Sequence, residues 1–217
     1  MNVLVISGGG AKGAFGGGIA EFLIKDCKKK YDIFIGTSVG SLIIPLLSLG
    51  EIDRLRKAFT SVTQKDIFNN CPFIISKSNG QFKTRINHIG IVKAFLTGKK
   101  TLGESENLKQ LISKNITEED FDIMKRNKPE VIVTVSNLSC KTVEYKSLKQ
   151  CTYTDFCEWI WASANVIPFM SLVEKDGFEY GDGGMGNILP VYEALNRGAR
   201  EIDIILLNSE TKTTMKN

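Results

Sequence analysis

The chain has 217 residues, 42% of them hydrophobic and 24% charged, with a formal net charge of +4. That composition excludes a disordered or fibrous protein and leaves room for one well-filled core, which we read as a single domain over 1–217. The longest apolar stretch, 38–49, contains Pro45 and several hydroxyls and falls short of the ~20 residues that span a bilayer.

Five cysteines, Cys27, Cys71, Cys140, Cys151 and Cys157, are odd in number and form no CxxC pair, so reduced thiols are expected rather than a disulfide framework or a thiolate zinc site. The amino terminus runs straight into a strand-like segment, without the basic and apolar regions of a cleaved signal. A cytoplasmic, membrane-peripheral protein is expected, with signal-independent export as the alternative. The Lys28-Lys29-Lys30 run reads as a solvated helix end, with contact to anionic lipid as its functional alternative. A nucleic-acid groove has no support, because no aromatic residues interleave with these lysines.

In chain order, 2–6 is a short apolar, β-branched run followed at once by Ser7-Gly8-Gly9-Gly10 and a predicted helix over 13–25. A second unit places a buried strand at 31–35, a tight turn at 36–40 and a helix to Leu49, closed by Gly50. This alternation predicts an α/β fold with three α/β/α layers and a mainly parallel central sheet. From 61 to 127 the chain is polar, with helices expected at 89–95, 106–113 and 117–125 and no strand. That segment is either a lid or cap over a site or surface packing without a role. Beyond it, 131–135 and 142–145 read as a hairpin, 154–164 as a helix, and the residues around Gly177 as two strands. A closing helix over 187–197 leads into a strand at 201–207, and the tail beyond Asn208 reads as frayed.

Three motifs carry chemistry. Gly8-Gly9-Gly10-Ala11-Lys12-Gly13 fits GxGxxG between a strand and a helix, with Asp32 about twenty residues on, a formal dinucleotide fingerprint. Glycines at such a turn let backbone N–H groups face any anion, so a phosphate and a transient oxyanion suit the same geometry. A Walker-type loop is excluded, because no Lys-Ser or Lys-Thr pair follows the last glycine.

Gly36-Thr37-Ser38-Val39-Gly40 is a GxSxG elbow, which sets a serine on a sharp strand-to-helix turn where bulky neighbours would clash. Its bland alternative is a serine that caps the following helix. A nucleophilic serine needs a base, and the lone histidine, His88, lies in the polar middle segment with no late histidine to complete a serine–acid–histidine order. The third motif, Gly181-Asp182-Gly183-Gly184, offers a carboxylate with little steric cover. In a dry site that carboxylate can take a serine proton directly; its bland alternative is an Asp-Gly turn.

In this order and spacing, the glycine loop, the GTSVG elbow and the late DGG resemble the patatin-like phospholipases, over Val3 to about Leu207. The stretch Trp161-Ala162-Ser163-Ala164-Asn165-Val166-Ile167-Pro168-Phe169 and the following Asn187-Ile188-Leu189-Pro190 are softer matches. The resemblance implies a lipid acyl hydrolase with Ser38 as nucleophile, Asp182 as base and an acyl-enzyme intermediate. It further implies an oxyanion hole built from 8–13, a phospholipid or other lipid ester as substrate at a membrane or micelle surface, and no metal or cofactor. Lys12 stands where the family usually has arginine, and the segment between elbow and DGG is short, departures that bear on phospholipid selectivity. Two other readings are kept: a patatin-like scaffold that binds lipid or a partner without catalysis, and a dinucleotide-binding module.

Overall fold

The computed structural model describes residues 1–78 and 81–207. In chain order, β1 (Asn2–Ile6) leads through a 3₁₀ turn at Gly10–Lys12 into α1 (Gly13–Lys25), and β2 (Ile33–Thr37) leads through Ser38 into α2 (Val39–Ser48). Then come α3 (Ile52–Ser61), α4 (Gln64–Ile67), the strands β3 (Phe73–Ser78) and β4 (Gln81–Ile86), and the helices α5 (His88–Leu96), α6 (Glu106–Asn115) and α7 (Glu118–Arg126). The last third holds β5 (Glu130–Asn137), β6 (Thr142–Ser147), α8 (Tyr153–Ser163), β7 (Val173–Lys175), β8 (Phe178–Asp182), α9 (Val191–Asn196) and β9 (Glu201–Ile205).

Four strands, ordered β9-β1-β2-β5, run parallel, and β6, β8 and β7 extend that core antiparallel. The inner strands β1, β2 and β5 are buried on both faces, whereas the edge strand β9 carries Glu201 and Asp203. The two covers are unequal. Leu4, Ile6, Phe34, Val131, Val133 and Val135 join a large core with side chains of α1, α2, α3, α6, α7 and α8. Val3, Val5, Ile33, Ile35 and Ile132 meet a thin cover in which α9 contributes a single buried side chain, Ala194. Helix α2 is apolar almost all round because it is wrapped, packing against β2 and β5 and against α1, α3 and α8.

Three expectations need correction. Between 61 and 127 the structure has two strands, β3 and β4, which pair only with each other. They lack the apolar alternation of a core strand because they do not touch the core, and the signal for them is the Asn79-Gly80 dipeptide between two β-rich runs. The closing helix is confined to Val191–Asn196, because the carbonyls of Asn187 and Ile188 are taken by the Thr37 hydroxyl and the Gly8 N–H, and Pro190 sets the helix start. The last strand ends at Ile205; the tail beyond Asn208 lies outside the described residues.

Candidate active site

Register on β5 brings two distant motifs together. Thr37, the last residue of β2, pairs with Thr134, and the next position, Val135, pairs with Asp182 of β8. The other edge of β5 is filled by β6 from Ile132 to Asn137, so β2 and β8 take successive stretches of one edge and meet end to end. The residue that follows β2 and the residue that ends β8 are therefore neighbours.

Ser38 occupies φ 55°, ψ −123°, a conformation that costs a non-glycine residue about 1–3 kcal/mol and persists only where its surroundings enforce it. The flanking glycines show what enforces it. A Cβ on Gly36 would stand 2.6 Å from the carbonyl carbon of Gly40, and one on Gly40 would stand 2.4 Å from the carbonyl oxygen of Ile6. Strand β2, the first turn of α2 and the end of β1 are in backbone contact, and that contact holds the sharp turn.

The Ser38 hydroxyl donates to Asp182 Oδ2 at 2.6 Å, and the Gly184 N–H donates to Asp182 Oδ1 at 2.7 Å. Both side chains are buried, and the carboxylate is flanked by Gly183, where a Cβ would meet the Thr134 carbonyl oxygen at 2.2 Å. Burial raises the Asp182 carboxyl above its ordinary range, while the hydrogen bonds from Ser38 and Gly184 oppose that rise. Among the described residues, no cation pairs with Asp182. Burying a carboxylate without an ion pair costs free energy, so such groups concentrate at functional sites, and this one has a hydroxyl proton within direct reach.

The glycine loop lies against this pair. A Cβ on Gly8 would stand 3.3 Å from Ser38 Cβ, and one on Gly13 would stand 2.4 Å from both Val39 Cγ2 and Phe59 Cε1. Among the described residues, the Gly8 N–H donates to the Ile188 carbonyl and the Lys12 N–H to the Gly9 carbonyl, while the N–H groups of Gly9, Gly10 and Ala11 have no backbone acceptor. Gly10 has φ +54°, a value that favours glycine. Val39 opens α2, so its N–H has no carbonyl one turn back and adds a further donor beside Ser38. Such donors can hold a negative oxygen formed at an atom attached to Ser38.

The structure does not bring every candidate here. His88 is exposed at the start of α5. Asp32 bonds to the Asn2 N–H at the start of β1, whereas the glycine loop follows the end of β1, so about 15–20 Å of strand separates the acidic residue from the glycines that a dinucleotide fingerprint would pair it with. Lys29 is ion-paired with Glu201 and Asp203 at that same far end of the sheet, so the lysine run is not beside Ser38. Among the described residues, no group of three or more His, Cys, Asp or Glu side chains could hold a metal, and no helix is long and apolar enough to cross a membrane.

Other residues that shape the site carry no motif of their own. Ser163, fully buried at the end of α8, accepts the Ser38 N–H at 2.9 Å and lies 2.8 Å from the Ser41 hydroxyl. Asn165 accepts the Asp182 N–H on its carbonyl at 2.8 Å and the Ser105 hydroxyl on its side chain at 2.5 Å. Ile188 sits over the loop, 3.2 Å from a Cβ at Gly8. Ser163 and Asn165 fall within the small-residue stretch singled out above; nothing in that stretch alone marks them as supports of the serine and the aspartate.

The sequence profile of the family described as Patatin-like phospholipase matches residues 4–195. Patatin-16 of Solanum tuberosum is 31% identical over 150 residues, 64% of this chain and 37% of patatin-16. The crystal structure of VipD from Legionella pneumophila is similar in fold, with a TM-score of 0.59 and 15% identity, over 94% of this chain and 49% of VipD. The chain thus spans less than half the length of either relative. A match over so much of this chain makes it a member of the patatin-like phospholipase family.

Proposed function

We propose that this chain hydrolyses lipid carboxylic esters, as a phospholipase A or lysophospholipase type of enzyme, through a Ser38–Asp182 dyad. What supports the reading is a buried carboxylate 2.6 Å from the hydroxyl of a serine held at a strained φ. Asp182 takes the Ser38 proton as Oγ bonds to the acyl carbonyl carbon. The oxygen that gains the negative charge is held by N–H groups of Gly9, Gly10, Ala11 and Val39, where loss of one donor typically costs ~10²–10³ in rate. Collapse breaks the ester C–O bond, Asp182 returns the proton to the leaving alcohol, and an acyl-Ser38 ester remains. A water then gives its proton to Asp182 and its oxygen to the acyl carbon, and the proton passes back to Ser38 as the fatty acid leaves.

Exposed apolar side chains near the dyad in sequence would suit an acyl chain. Ile188, Met185, Val166 and Phe169, all close in sequence to residues that hold the dyad, keep 38%, 53%, 43% and 39% of their surface exposed. No step calls on a metal or a cofactor. Lys12, on the 3₁₀ turn of the loop, keeps a positive charge where the family usually has arginine but without the planar fork that grips a phosphate in two places.

The test is hydrolysis of a p-nitrophenyl ester and a fluorogenic phospholipid by the wild type, Ser38→Ala and Asp182→Asn, each shown folded by its melting temperature. Both variants are expected to lose activity on the order of 10⁴-fold. An active Ser38→Ala protein would sink the dyad, and a wild type inert on every ester would favour a lipid-binding scaffold without catalysis.

A further inference from the structure

Residues 67–103 contain no aspartate or glutamate; Asp66 and Glu104 flank the stretch, and Lys77, Lys83, Arg85, Lys93, Lys99 and Lys100 lie inside it. The chain has 28 cations and 24 carboxylates, so with these six set aside the other 180 residues hold 22 cations against 24 carboxylates, a net charge of −2. The net positive charge of the molecule thus resides in about one sixth of its length.

The same stretch exposes its large apolar side chains. Ile89, Leu96 and Phe82 are 84%, 82% and 72% exposed, and Ile74, Ile75, Ile86, Val92 and Phe95 are about half exposed. They belong to the β3–β4 hairpin and to α5, which together form an arm. Among the described residues, no layer covers the hairpin, and α5 buries only Ala94. On α5, Ile89, Val92, Lys93 and Leu96 follow the i, i+3, i+4, i+7 spacing of one helix face, and that face is turned to solvent. Cations are interspersed, with the Lys77 ammonium 5.5 Å from the centroid of the Phe82 ring. Apolar patches of this extent are uncommon on a monomer without a purpose.

The root of the arm is fixed beside the active site. The Phe73 ring packs on Phe169 with centroids 5.3 Å apart, the Leu102 N–H donates to the Pro168 carbonyl at 2.8 Å, and a Cβ on Gly103 would stand 2.5 Å from the Phe169 carbonyl oxygen. Phe169 and Pro168 belong to the loop that begins at Asn165, whose carbonyl holds the Asp182 N–H.

We propose that the β3–β4 hairpin and α5 form an interfacial docking surface for an anionic lipid bilayer, inserting Phe82, Ile89 and Leu96 among the acyl chains while Lys83, Arg85 and Lys93 meet acidic headgroups. This deepens the lipid-ester reading, on which it rests for its purpose. Apolar side chains on a short amphipathic helix, interleaved with basic ones, are the physical requirement for a segment that lies in the headgroup region. The absence of any carboxylate on the arm favours an acidic lipid surface over a protein partner of mixed charge. Each cation near such a surface adds about fivefold to the affinity, so the charge and the apolar anchors act together.

The experiment is flotation of the full chain with phosphatidylcholine vesicles and with vesicles that also contain phosphatidylserine. It is done on Ser38→Ala, so the result does not depend on whether the protein hydrolyses lipid, and a failure of the catalytic reading leaves it intact. The parent is expected to bind the phosphatidylserine vesicles at least about tenfold more tightly, with affinity falling as salt rises. Adding Phe82→Ser, Ile89→Ser and Leu96→Ser together should remove binding to both vesicles. Adding Lys83→Gln, Arg85→Gln and Lys93→Gln should cut binding to the acidic vesicles on the order of 10²-fold. Melting temperatures and sedimentation of each protein accompany the assay. Equal binding to the two vesicles, binding that survives the apolar substitutions in folded protein, or no binding by the parent would overturn the proposal. A parent that sediments as a dimer and becomes a monomer when the three apolar residues are replaced would assign this surface to a second copy of the chain.

Discussion

Two regions of this molecule treat their side chains in opposite ways. Around Ser38 and Asp182 the side chains are placed by packing: glycines at 36, 40 and 183 allow backbone contacts that any Cβ would block, and Ser163 and Asn165 hold the backbone of these two residues. On the hairpin and α5, large apolar groups face solvent and only the root is anchored. Folding stability explains the first region in part and the second not at all. The contrast teaches that burial marks where the chemistry is positioned, and that its absence in an apolar segment marks where a contact is made with something else.

The comparison can be broken by substitution. Gly183→Ala puts a Cβ 2.2 Å from a backbone oxygen that cannot move away, and should cost about 3 kcal/mol in urea unfolding; a near-neutral result would show that the β5–β8 junction is loose. Ser163→Ala leaves the Ser38 N–H without its buried acceptor and should cost about 1–3 kcal/mol, with lower turnover in the folded protein.

Asp182→Asn sharpens the contrast by its sign. Because burial raises the folded-state pKa of Asp182, its contribution to stability is favourable below the ordinary value of 3.8 and is lost as pH rises through the raised value. At neutral pH the ionised carboxylate therefore works against folding. Asp182→Asn should melt no lower than the wild type, and higher if no new donor–donor clash with Gly184 forms. Hydrolysis by the wild type should fall as pH drops through a midpoint above 3.8, since only the ionised form accepts the Ser38 proton. A midpoint at or below 3.8 would argue against a buried base.

The smallest effects belong to the arm. Phe82→Ser and Ile89→Ser, made singly, should change stability by no more than about 0.5 kcal/mol, because their side chains are already in water. A cost of 2 kcal/mol would mean that these residues are packed and that the two regions do not differ.

The parts of the fold written in local runs of residues are legible from the amino-acid order alone. The β-branched apolar segments at Asn2–Ile6 and Ile33–Thr37, the glycine loop, the elbow and the DGG are each legible because their chemistry lies in adjacent residues. Contact between residues far apart in the chain emerges only once the strands are paired and the helices packed. The meeting of Ser38 with Asp182, 144 positions away, follows from consecutive pairings along one edge of β5, and the roles of Ser163 and Asn165 follow from where α8 ends. The hairpin at Phe73–Ser78 and Gln81–Ile86 went unread because strands that serve no core carry no core pattern, and the outward face of α5 could not be told from an inward one. Hydrophobic periodicity reports that a face is apolar; only the packed structure shows whether that face has been covered.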